Sequence, residues 1–389
     1  MVIIMKRYSN AIPLFFSNAM IYGLTALYYS FIQIYIGNYH ADDVAGVLLA
    51  IGPFVSIFAP ILWGVLADRA KSMNIVLAAA VIGSAVFYLL VGLRHDFFYL
   101  AVMLTLFMFF MSPFGGLLDI ITLQYTNENK LSYGPIRICG TIAFGLFSMV
   151  LTGFVENNIS VIFWFYAVVA AVGAVSIMKA PRVEGRGSGE KRPSVLPLFR
   201  DSKLMLLFLF VGITQFTWAY YLNYFPGHLS GDLNLPAQIW GINAFLTVIG
   251  EVPFFLMFNR LFDRLGIRGM LFVNLVLVVV RYAGLAFLTN VPLLLALGLI
   301  TGFATTVFTY CGSVYVTRYV APESRASANS LMYALGNGIP KVLAGVLGGV
   351  MTVSLGYTAS MIICTLLCGF ALAIFLLTQY LPGRGKNRF

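Results

Sequence analysis

Charge is what this chain has least of. Asp, Glu, Lys and Arg make up 10% of 389 residues, and only 14 residues are acids. A soluble surface draws on roughly a quarter of a chain for its charged residues, so no sizeable water-facing domain is available. Histidine is nearly absent. His40, His95 and His228 fall in breaks between apolar runs, where a solvated loop position is expected, so no buried imidazole relays protons. The four cysteines, Cys139, Cys311, Cys364 and Cys368, sit inside apolar runs and act there as small apolar residues. Neither zinc spacing nor a disulfide framework is present. No nucleophile, metal cluster or phosphate loop stands out. The chain is not expected to be an enzyme, and no cofactor or metal is implied.

What is present is apolar. Hydrophobic residues make up 60% of the sequence and mean hydropathy is +0.91, which defines a polytopic membrane protein. At roughly 20 residues per span, twelve spans fit. Polar breaks place them at 11–37, 44–67, 74–93, 97–124, 133–155, 159–178, 204–226, 238–261, 269–288, 291–316, 326–353 and 357–380. The expected fold is all-α, with two six-helix bundles at 1–178 and 204–389. The segment 179–203 forms a polar linker, and its run from Glu184 to Pro193 has the composition of a flexible connection.

Lys and Arg are retained on the cytoplasmic side of a membrane. Twenty of the 24 fall on one face: Lys6, Arg7, Arg69, Lys71, Lys130, those in the linker, Arg260, Arg264, Arg268, Arg318, Arg325, Arg384, Lys386 and Arg388. Arg94 lies opposite. Both termini are therefore expected in the cytoplasm, and the first span is expected to be retained. The net charge of +10 is spread over short loops beside anionic lipid headgroups. It does not indicate nucleic acid. The bilayer, a small solute and protons are the expected partners, and a monomer the expected state.

Five charges interrupt the spans themselves: Asp119, Arg137, Glu251, Arg281 and Lys341. Each costs at least ~2.5 kcal/mol in a bilayer, and such residues usually face a protein interior or a water-filled path. Transport follows as the expected function. Asp119 lies near the end of span four and Arg137 about one turn into span five, so a tight turn brings them into reach and lowers the desolvation cost of each. Glu251 stands mid-span in eight, Arg281 in nine. A carboxylate in low dielectric binds its proton more tightly, and a nearby guanidinium opposes this, so Glu251 is the candidate proton carrier. Lys341 follows Pro340 in the Gly-rich span eleven, which can bend or unwind. Span seven offers Gln215 and no acid. Bases outnumber acids among these five charges, which favours an anionic solute. Tyr22, Tyr28, Tyr29, Phe144, Trp218 and Tyr221 are candidates to line a path for a flat ring.

Two loops repeat a pattern: Gly64-Val-Leu-Ala-Asp68-Arg69-Ala-Lys71, and Asn259-Arg260-Leu-Phe-Asp263-Arg264-Leu-Gly266. Gly64 is expected to permit close helix approach. The pattern resembles the loop signature of the major facilitator superfamily, in which the acid and bases latch the inward-closed state. Asn259 stands where Gly is usual. Tyr133-Gly-x-x-Arg137-x-x-Gly140, behind an acid in span four, resembles the phenylpropionate permease group and, more distantly, the lactose permeases. That resemblance implies solute contact by Asp119 and Arg137, proton coupling by Glu251 tuned by Arg281, and a proton symporter that imports its solute, with an aromatic carboxylate the first candidate. Phe144 replaces the Trp on which sugar stacks in lactose permeases. Span ten, Thr305 to Ser313, has neither the His nor the acid of their relay. Span five lacks the antiporter pattern Gly-x-x-x-Gly-Pro-x-x-Gly. The alternatives are a nucleoside or oligosaccharide symporter, an exporter of the same fold, and a receptor-like homologue that does not transport.

Overall fold

The computed structural model describes residues 11–131, 133–155, 158–184, 196–236, 238–320, 328 and 331–379. Lys6, Arg7, the stretch 185–195, Arg325 and the bases at 384, 386 and 388 lie outside these residues. So do the side chains of Asn259 and Arg318 and several in the 305–313 stretch.

Every regular element is a helix among the described residues, and nine stretches are long and apolar enough to cross a membrane. The first six spans are α1 (Ile12–Gly37), α2 (Asp42–Arg69), α3 (Met73–Val91), α4 (Phe97–Met111 and Phe114–Glu128), α5 (Gly134–Val155) and α6 (Val161–Lys179). Pro113 interrupts α4 because its ring cannot continue the hydrogen-bond ladder. Ser202–Gly227 is α7. The unbroken Gln238–Phe287 is two helices, α8 (238–265) and α9 (267–287), divided at Gly266 with φ 62°. Val291–Tyr319 is α10. A π turn at Met332–Gly338 leads into Ile339–Gln379, and Gly356 (φ 79°) divides the whole stretch into α11 (332–355, π turn included) and α12 (357–379). Both glycines take left-handed backbone that an L side chain resists. Among the described residues, α1 to α12 follow the order hydropathy predicts.

The chain forms two compact units. The first comprises Met1–His40, Phe54–Gly189 and Trp240–Phe245, and the second Ala41–Pro53, Glu190–Ile239 and Leu246–Phe389.

In the first unit α1 packs along α5 and α6, and α3 along α4 and α6. Small polar groups join these helices: Ser17 to Ser176 at 3.0 Å, Asn18 to Thr122 at 3.3 Å and Ser30 to Ser148 at 2.8 Å. Tyr28, Tyr88, Phe107 and Tyr166 form an aromatic core between them. The chain leaving α6 is pinned by Asn74, whose amide donates to Ile177 O at 3.0 Å and accepts from Val183 N at 3.1 Å.

In the second unit α7 packs along α11 and α12. Tyr224 donates to Gly345 O at 2.6 Å and Tyr220 pairs with Thr352 at 2.8 Å. The α8–α10 crossing depends on two glycines. A Cβ on Gly250 would strike Leu299 O, and one on Gly302 would strike Thr247 O. Backbones approach this closely in membranes only where side chains are minimal.

Candidate functional site

The turn from α4 to α5 positions the first pair of charges. Leu131 N returns to Thr126 O at 2.8 Å, with Lys130 in the left-handed region at φ 51°. This closes the helix end in the manner of a C-cap and brings Tyr133 back over α4. The Tyr133 hydroxyl donates to Asp119 Oδ1 at 2.7 Å. One turn on, the Arg137 guanidinium lies 4.2 Å from the centre of the Tyr22 ring. Gly140 makes that contact possible, since a Cβ there would enter the Tyr22 ring. The motif Tyr133-Gly-x-x-Arg137-x-x-Gly140 thus has a local physical reading. Its tyrosine holds the acid, and its second glycine seats the ring beneath the arginine. Phe144, half-buried, lies two turns beyond Arg137 on the same face of α5.

The second unit treats its charges differently. Arg281 is 3% exposed and lies among ring faces, 4.2 Å from the centre of Tyr221, 4.7 Å from Tyr282 and 5.6 Å from Trp218. Trp218 stacks in turn on Tyr221 at 5.6 Å. The expected approach to Glu251 is not among these contacts, which are aromatic. Glu251 is half-buried on α8, immediately after Gly250, and its position is set by the α8–α10 crossing. Lys341 is half-buried and follows Pro340 just past the π turn, where the backbone departs from α geometry.

Several expectations need correction. Tyr28 is 3% exposed and packs on Phe107 at 5.0 Å, so it belongs to the aromatic core. Its neighbour Tyr29 is the exposed ring. Gly64 faces open space, so it serves no close approach in this structure. His228 is not a solvated loop residue. Its imidazole stacks on Tyr357 at 3.7 Å and binds Asp232 at 2.6 Å, with its side chain 13% exposed. His40 meets the His95 carbonyl at 2.6 Å. Of the loop charges, Asp68 is half-buried, while Arg69, Lys71, Asp263 and Arg264 are exposed. Lys71 accepts at its carbonyl from Arg182 at 2.9 Å. Three partners went unrecognised from sequence: Tyr133 for Asp119, Tyr22 for Arg137 and Tyr282 for Arg281. Only Tyr133 carried a signal, as the first residue of the motif.

Among the described residues, a chain of apolar membrane helices carrying acids and bases within them has the form of a transporter with the major facilitator fold. A family model described as the MFS_1 like family matches residues 9–360, and the chain belongs to that family. It is 25% identical to the uncharacterized transporter YwbF of Bacillus subtilis, over 88% of this chain and 86% of that one. It is 26% identical to the maltose permease of Geobacillus stearothermophilus (78% and 77%) and 24% identical to the nucleoside permease NupG of Escherichia coli (80% and 80%). Among solved structures, a mutant of the nucleoside transporter NupG superposes with a TM-score of 0.86 at 18% identity, covering 95% of this chain and 99% of the other. An inward-facing bacterial homologue of the human lysosomal transporter Spinster gives 0.65 at 16% identity, covering 95% and 96%.

Proposed function

We propose that this transporter imports a small polar organic solute together with a proton, exposing a midplane site to each side in turn. One observation carries the reading: inside one helical unit, an acid and a base are each held by a tyrosine, Asp119 by Tyr133 and Arg137 by Tyr22. An acceptor and a donor on adjacent helices suit a solute rich in hydroxyl groups. The relatives named for nucleosides and for maltose support that class. A second reading, an aromatic carboxylate, is favoured by Lys341, which makes no hydrogen bond or ion pair among the described residues and would meet an anion.

In this mechanism Glu251 carries the proton. Neutralising it removes the cost of a buried charge during reorientation, and Arg281 in the same unit sets how readily it lets the proton go. Asp119, Arg137, Lys341, Phe144 and Trp218 engage the solute. The charged ends of α2 and α8, Asp68, Arg69, Lys71, Asp263 and Arg264, gate the cytoplasmic side. The protein acts as a monomer in a bacterial inner membrane, with both termini in the cytoplasm and the halves 1–178 and 204–389 as the moving bodies.

Proteoliposomes under an inward proton gradient, offered labelled nucleosides, disaccharides and aromatic acids, test this reading. One class is expected to accumulate above its external concentration. If none enters under any gradient while the protein is folded and correctly oriented, the import reading fails.

A further inference from the structure

Inside the second unit, α7, α9 and α10 line a small, partly open cavity whose walls include Thr214, Gln215, Trp218, Arg281, Tyr282 and Phe308. Its free volume is about 20 Å³, room for one water-sized guest. Two of its side chains are more than nine-tenths buried and incompletely satisfied. Arg281, 3% exposed, leaves Nε and Nη2 without a hydrogen-bond partner among the described residues, and Gln215, 7% exposed, leaves Oε1 in the same condition.

The surrounding rings answer part of the guanidinium charge through their faces. The Tyr221 and Tyr282 hydroxyls also hydrogen-bond the guanidinium, yet Nε and Nη2, whose N–H groups lie in the guanidinium plane, keep no acceptor among the described residues. None of the described lining residues is an acid. A cation this deeply buried ordinarily has a counter-charge beside it. A water accepts from Arg281 and donates to Gln215, but it leaves the charge uncompensated. A monatomic anion accepts both guanidinium N–H groups and supplies the charge. Rotating the Gln215 amide by half a turn points its NH₂ group at the anion as a third donor.

We propose that this cavity is a binding site for one small inorganic anion, chloride in the cell, held by Arg281 Nε and Nη2 with the Gln215 amide. The bound anion is the counter-charge that lets Arg281 stay buried among Trp218, Tyr221 and Tyr282. The site does not depend on which solute the transporter carries.

Protein purified in gluconate tests the proposal at constant ionic strength, by titrating chloride or bromide against gluconate, an anion too large for the cavity. Melting temperature is expected to rise saturably with either halide. Bromide is expected to quench tryptophan emission saturably, with chloride competing and the quench lost in Trp218→Phe. Gln215→Glu places a carboxylate beside Arg281 and should give a folded protein whose melting no longer responds to halide. Identical melting and emission of the wild type in chloride, bromide and gluconate would overturn the proposal in favour of a water. Halide effects undiminished in a folded Gln215→Glu would place the anion elsewhere and overturn it equally. If that variant does not fold, the wild-type titrations and Trp218→Phe decide alone.

Discussion

The two units solve the problem of charge in a membrane in opposite ways. In the first, each charge meets a tyrosine from a neighbouring segment, the acid at the hydroxyl of Tyr133 and the base at the ring of Tyr22. In the second, Arg281 is closed in by ring faces with N–H groups unsatisfied, Lys341 is half-buried, and Glu251 stands at a tight crossing of α8 and α10. The first arrangement gives each charge a tyrosine partner, leaving only the Arg137 Nη1 of that pair without a hydrogen bond among the described residues, and suits fixed recognition. The second is incomplete and suits a change of protonation or occupancy, because its balance depends on what else is bound.

The most severe way to break this contrast is to separate α8 from α10. Gly302→Val drives a branched side chain into the Thr247 carbonyl and should cost more than ~3 kcal/mol. Loss of monodisperse protein on size exclusion is the expected outcome, and a normal yield with an unchanged melting temperature would contradict the crossing. Asn74→Ala probes the first unit away from its charges. It removes the amide that pins the chain after α6 and leaves buried backbone groups unpaired, for a loss of about 2 kcal/mol, read as a lower melting temperature.

Arg281→Lys keeps the charge but gives up the planar fork that lies on Tyr221 and Tyr282, at about 1–2 kcal/mol. A lysine that melts like the wild type would show the rings to be incidental. Tyr133→Phe removes one hydrogen bond to Asp119. Because the site is half-buried, stability should fall by no more than ~1 kcal/mol, while solute binding weakens severalfold in equilibrium titration. The smallest effect belongs to Asp232→Asn, since Asp232 is 64% exposed and an exposed pair is worth ~1 kcal/mol or less. Melting curves should hardly move.

The sequence carried much of this architecture openly. The order of the spans followed from hydropathy, and the five intramembrane charges stood out because the runs around them are predominantly apolar. Asp119 and Arg137 were recognisable as neighbours because one short turn separates their helices. Their partners were harder to see. Tyr22 is on α1, far from Arg137 in sequence, and in a chain with 21 tyrosines no single ring announces its role. Tyr28 misled for the same reason: an aromatic on an interior helix reads alike whether it lines a path or fills a core. Gly64 and Gly302 show the converse. Both are span glycines, yet only Gly302 meets a neighbouring backbone, and this depends on how the helices cross. His228 lay at a polar break and looked solvated, but the π turn at His228–Asp232 folds its ring onto Tyr357.

Proton movement is the most direct test of the claim that the second unit changes charge during transport. Solute added to lightly buffered proteoliposomes should alkalinise the medium as protons enter with it. Glu251→Gln should abolish that signal while solute exchange continues. Accumulation with no pH change, or a Glu251→Gln variant that moves protons as the wild type does, would contradict the account.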